Sequence, residues 1–262
     1  MAVSFPAQTE APRFSIGSAF RAGFRTIGRG LLPFSIGIVG ISVLQFTAIL
    51  WVVERMLGDP TGVPPWANWA LVVTNTMGDA LLNAFLTGLA LSILEDDRPD
   101  WRRAVANLPR AFLPVALLSG TYAMLARFGV LLMPHLALLP LLLAIGTFTW
   151  LYSGAVVREG GGPLSALRHN LRLSEGHRWR ILAMLVIVLV LYFVLAFSGG
   201  LLLGTATVIR RTPVSTEAAL SVDLVATQLL NALSYIIAAA SYHLLRLERH
   251  GERHAAVADV FD

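Results

Sequence analysis

The chain has 262 residues, 56% of them hydrophobic and 14% charged, with a mean hydropathy of +0.68. A soluble domain of this size carries about 25% charged residues, so the composition selects lipid over water. With no cysteine in the chain, disulfides, thiolate metal sites and a cysteine nucleophile are excluded.

The net charge is +4, and all twenty basic residues are arginine. These arginines stand in short clusters beside apolar runs, the pattern that sets membrane topology. Nucleic acid, which reads a continuous basic face, is not an expected partner.

Residues 1–13 are polar and proline-containing and are expected to be disordered. No compact apolar segment follows a basic start, so no signal peptide is read there. From Phe14 to Arg29, Ile16, Phe20, Phe24 and Ile27 recur at helical spacing, with Arg21, Arg25 and Arg29 on the neighbouring face. Such a helix lies in the headgroup layer, rings down and guanidiniums on phosphates. An apolar run at 31–53 follows, long enough for a span of roughly 20 residues. The turn-rich loop Gly58-Asp59-Pro60-Thr61-Gly62-Val63-Pro64-Pro65 leads to Trp66 and Trp69, aromatics suited to an interface.

The second run covers 70–94, and the acidic segment Glu95-Asp96-Asp97 returns the chain to water. A second amphipathic segment carries Trp101, Val105, Leu108 and Phe112, with Arg102, Arg103 and Arg110 off that stripe. The third run (111–133) turns at Pro134-His135 into the fourth (136–157). Gly160-Gly161-Gly162 and Pro163 then open a third amphipathic helix, because proline suits the first helical position. Its apolar stripe is Leu164, Leu167 and Leu171, with Arg168, Arg172 and Glu175 away from it, and Gly176 is the expected stop. Arg178, Trp179 and Arg180 anchor the fifth run (181–203), and the sixth follows at 222–247, leaving a charged tail at 248–262.

The fold read from this pattern is an all-α integral membrane protein with six transmembrane helices in a domain of residues 14–247. Interfacial amphipathic helices lie on its cytoplasmic side. Sixteen of the twenty arginines fall in the N-terminal segment, 95–110, 158–180 and the C-terminal stretch from Arg246, which places both termini in the cytoplasm. Each amphipathic segment precedes a pair of runs, and Pro33 and Pro114 enter the membrane at matching positions. This reads as a three-fold helix-hairpin repeat.

The second run carries Asn75, Asp79, Asn83 and Thr87 at strict i, i+4 spacing, beside a small column of Ala80, Ala84 and Gly88. Small columns let helices approach closely, so this face is expected to look into the bundle. An aspartate there is costly unless paired or neutral. Asp79 lies 16 residues before Glu95 and Arg127 lies 17 after Arg110. At ~1.5 Å per residue both stand roughly 25 Å from the inner face. Three arrangements fit: a polar cavity in which Asp79 titrates, an Asp79–Arg127 pair holding the bundle, or an Arg127 that snorkels outward. Asn231, with Gln228, Ser234 and Tyr235, can join the same interior.

His250 and His254 lack a third ligand and read as a solvated tail. No P-loop, nucleophile elbow or zinc-protease motif is present, so no metal, cofactor or catalytic set is expected.

Glu159-Gly160, Ala166-Leu167-Arg168, Leu173, Gly176 and Trp179 resemble the signature of a bacterial six-helix membrane domain. That domain is found fused to some glycerophosphoryl diester phosphodiesterases and as stand-alone membrane proteins. Phe14-Ser15-Ile16-Gly17 with Phe20, and Tyr242 with Leu245-Arg246, are similar to the same group. Asn170 departs from it, standing where a serine is expected. The resemblance implies a multi-pass protein of the bacterial inner membrane. These residues hold no soluble stretch long enough for the phosphodiesterase, so no hydrolase activity is carried over.

The function expected is a non-enzymatic membrane protein that holds anionic lipid headgroups on Arg21, Arg25, Arg29, Arg102, Arg103, Arg168, Arg172, Arg178 and Arg180. Alternatively, it scaffolds a membrane protein partner or a second copy of itself. The alternative class is a transporter or channel for a small solute or ion, built on the stripe of the second run. A lipid-modifying enzyme is the third class and lacks a catalytic set.

Overall fold

The computed structural model describes residues 14–57, 65–132, 135–160, 162–210 and 216–261. The expected disordered tail 1–13, most of the loop at 58–65 and the turn at Pro134 lie outside the described residues. So do the side chains of Arg127, His250 and His254. Eight helices follow in chain order: α1 (Ile16–Leu57), α2 (Pro65–Asp96), α3 (Trp101–Leu132), α4 (His135–Thr149), α5 (Tyr152–Glu159), α6 (Pro163–Leu173), α7 (Arg178–Arg210) and α8 (Thr216–Phe261). Among the described residues there is no strand.

Four stretches are long and apolar enough to cross a membrane: Ile16–Arg55, Trp69–Asp96, Pro140–Glu159 and Arg178–Leu195. The runs at 111–133 and 222–247 lie in α3 and α8, each partly outside the described side chains.

Helix α2 is the centre. It packs against α1, α3, α5 and α8, and every residue from 84 to 93 is buried. Of its most apolar window 67% is inside the protein, against 17% for those of α1 and α7. A helix apolar on all sides must be buried or sit in lipid. Helix α2 takes the first course; α1 and α7 present Leu32, Val39, Phe193 and Phe197 outward. An apolar belt of this extent calls for a bilayer. Gly154 brings α5 onto α8, since a Cβ there would lie 2.6 Å from Tyr242 Cγ.

The three amphipathic segments join their spans in three ways. In α1 the backbone breaks at Gly30 (φ −112°, ψ 20°), three residues before Pro33. In α3 the helix continues through Pro109 and Pro114, with no link. Only α6 is a separate helix, begun by Pro163 after an extended Gly162. It ends at Leu173, and the turn to α7 contains Gly176 at φ +83°.

The expected stripes pack against the core through Ile16, Phe20, Ile27, Trp101, Leu108, Phe112 and Leu167, all half-buried, and the most deeply buried positions lie beside them. In α1 the inward positions are Ala19, Gly23, Thr26 and Gly30, while Phe24 faces out. In α3 they are Ala104, Ala111 and Val115, with Val105 exposed. In α6 they are Ala166, Asn170 and Leu173, with Leu164 exposed. Small side chains allow close helix approach, so the tightest contacts fall on them.

Candidate functional site

Polar side chains meet between α1, α2 and α8 in a continuous chain. Gln45 Nε2 donates to Asn75 Oδ1 at 3.0 Å. Gln228 Nε2 donates to Gln45 Oε1 at 2.6 Å and to Asp79 Oδ1 at 3.3 Å. One turn on, Thr87 donates to Asn83 Oδ1 at 3.1 Å. Buried amides must find partners in a medium without water, and Gln45 and Gln228 are both buried. Gln45 was not among the expected site residues. Its signal was a single carboxamide inside an apolar run, with no neighbour on its own helix to suggest a partner. The Asp79–Arg127 pairing falls on an undescribed side chain.

Asp79, Asn83 and Asn231 line one cavity of about 400 Å³, which Ser119 of α3, Trp150 between α4 and α5, and Tyr235 of α8 complete. Asn75 is not part of its wall; its carboxamide is held by Gln45. The small column packs as its composition implies. Ala80 and Ala84 are buried, and a Cβ on Gly88 would meet Ala104 and Val157 at 3.4–3.6 Å.

On the polar face, Glu95 is the centre of charge. It is largely buried (14% exposed) and receives Arg103 at 3.1 Å, Arg158 at 2.9 Å and Arg246 at 3.6 Å. One carboxylate therefore ties the end of α2 to α3, α5 and α8. The position reads in sequence as an ordinary solvated acid; only its closeness to three chain-distant arginines marks it. Glu159 meets His169 at 2.9 Å and accepts the Tyr242 hydroxyl at 3.1 Å.

Of the nine arginines expected at headgroups, three are drawn into ion pairs or hydrogen bonds with chain-distant or neighbouring-element groups, and Arg21 donates to the Gly17 carbonyl of its own helix at 3.3 Å. Arg103 serves Glu95 and Asp96, Arg180 donates to the Phe14 carbonyl at 2.6 Å, and Arg29 pairs with Asp97. Arg25, Arg102, Arg168 and Arg172 are exposed and form no ion pair among the described residues. Arg21, Arg25 and Arg29 line a cleft of about 590 Å³ whose other wall includes Ile93, His243 and Leu247. Arg178 lies 5.2 Å over the Phe148 ring, at an apolar groove of about 490 Å³ with Trp179 and Leu182. Among the described residues no group of three acidic or histidine side chains is placed to hold a metal ion.

No curated protein and no solved structure matches the chain. A family model described as a domain of unknown function, DUF7847, matches residues 73–245. That stretch begins just before Asp79 and ends at Leu245, so it takes in the cavity, Glu95 and α6. Covering more than half of the chain, the match makes this protein a member of the DUF7847 family.

Proposed function

We propose that the protein is a non-enzymatic, six-span protein of the bacterial inner membrane that holds anionic lipid headgroups on its cytoplasmic face. In this reading both termini are cytoplasmic and the three hairpin units are related. The chain is then a stand-alone counterpart of the six-helix membrane domains that its signature resembles. The observation that carries the reading is the cleft of Arg21 and Arg25, with Arg29 held by Asp97 at its edge, against apolar Ile93 and Leu247. Guanidiniums bind phosphate through bidentate hydrogen bonds, and basic pockets between membrane helices on the cytoplasmic side suit anionic headgroups. The Arg178 groove adds an apolar channel beside a cation, the chemistry of an acyl chain under its headgroup.

Native mass spectrometry of the protein released from membranes tests this. Retained anionic lipid, lost in an Arg21→Gln/Arg25→Gln variant while zwitterionic lipid is unaffected, is the expected result. A spectrum with no anionic lipid overturns it, and a retained protein partner in its place favours a scaffold.

A second reading, movement of a small solute or ion through the bundle, is favoured by the Asp79 cavity. Uptake into proteoliposomes abolished by Asp79→Asn would establish it.

A further inference from the structure

The cavity around Asp79 has a chemical bias that points to its ligand. Three of its hydroxyl groups have their protons committed elsewhere: Ser234 donates to the Leu230 carbonyl at 2.9 Å, Thr149 to Ile145 at 2.8 Å and Tyr152 to Pro114 at 3.3 Å. What these oxygens retain for the cavity is lone pairs. Asp79 adds a carboxylate, whose described donors are the neutral amides of Gln228, at 3.3 Å, and Asn231. The lining therefore offers these acceptors around a carboxylate, beside the carboxamides of Asn83 and Asn231.

A carboxylate at this depth favours a cation beside it. The volume of about 400 Å³ exceeds what a bare metal ion fills, since a water's share of liquid is only about 30 Å³. Aromatic rings of Trp150, Tyr152 and Tyr235 also line it, and such faces attract ammonium groups. A primary ammonium supplies three donors and a charge, matching hydroxyl acceptors and a carboxylate together. Trp150 Nε1 is buried and has no acceptor among the described residues, so it is available to an oxygen on the same ligand.

We propose that this cavity binds a small primary ammonium compound bearing an oxygen acceptor, of the amino-alcohol class, with Asp79 as its counter-ion. The inference rests on the second reading only in placing a ligand within the bundle, and it does not require translocation.

Three probes of one length separate charge from shape: 4-aminobutan-1-ol, butane-1,4-diol and 4-hydroxybutyrate. Each is titrated calorimetrically into the full chain in lipid nanodiscs. The amine is expected to bind saturably at one per chain, with the diol at least tenfold weaker and the anion silent. Asp79→Asn should weaken the amine at least tenfold. If that variant does not fold, the wild-type series with Trp150→Phe still decides, because the indole change should weaken amine and diol alike. Equal affinity for amine and diol, preference for the anion, or no binding of any probe overturns the proposal. Amine binding without uptake into proteoliposomes leaves the site standing and removes the transport reading. Uptake of other solutes with no amine binding does the reverse. The Arg21→Gln/Arg25→Gln variant should bind the amine as the wild type does.

Discussion

Glu95 and Asp97 stand two residues apart and both meet arginine, yet their surroundings make them unequal. Asp97 is 68% exposed and its pair with Arg29 lies at the surface, where ion pairs contribute about 0–1 kcal/mol. Glu95, at 14%, serves three arginines from three helices. Removing a buried partner leaves the opposing charges uncompensated, at a cost of about 3 kcal/mol or more. Glu95→Gln should therefore lower the apparent unfolding free energy in detergent by about 3 kcal/mol. Asp97→Asn should lower it by less than about 1 kcal/mol. Similar losses from the two would show that Glu95 is not the hub. Both acids lie in one acidic segment that composition marks only as the exit to water. Burial separates them, and burial depends on α5 and α8, which lie far along the chain.

At the scale of single elements, the amphipathic segments were legible as helices and as surface-seeking, because arginine and large apolar residues alternate at 3.6-residue spacing. The stripes do pack half-buried on the core, through Ile16, Phe20, Ile27, Trp101, Leu108, Phe112 and Leu167. Which positions come closest was not legible, because close approach of two helices selects small side chains, and the alanines Ala19, Ala104 and Ala166 are each buried to 3% exposure or less. Those alanines stand at corresponding places in the proposed repeat. Helix α6 carries a further device. The break between α4 and α5 at residues 150–151 leaves helix carbonyls without their usual donors, and buried Asn170 donates to that of Phe148. Here the departure from the expected serine has a physical role, since an amide reaches where a hydroxyl on a shorter side chain would fall short. Asn170→Ala should destabilise the protein by about 1–3 kcal/mol, the cost of an unsatisfied buried carbonyl. Asn170→Ser should recover only part of that. A melting temperature unchanged by the alanine would remove this role.

For the whole molecule, the proposed topology makes a prediction suited to a chain without cysteine. In intact cells, Thr61→Cys and Thr212→Cys should react with an impermeant maleimide, and Ser165→Cys only after the membrane is opened. Labelling of Ser165→Cys first would reverse the orientation. The sequence by itself determined the helical class, the presence of helices long and apolar enough to cross a membrane, and the amphipathic segments that flank the apolar runs. Each of these follows from local composition and from backbone groups that must bond within their own helix in lipid. It also marked Asp79, Asn83 and Thr87 as inward-facing, because polar groups beside small residues pack into a bundle, although Asn75 of the same stripe is exposed. Only the tertiary structure decided that Gln45 and Gln228 complete the polar chain and that Glu95 collects three arginines. It alone brought α3, α5 and α8 around one cavity. These are meetings of residues up to 183 positions apart, and spacing along one helix carries no information about which face of a distant helix will arrive opposite it.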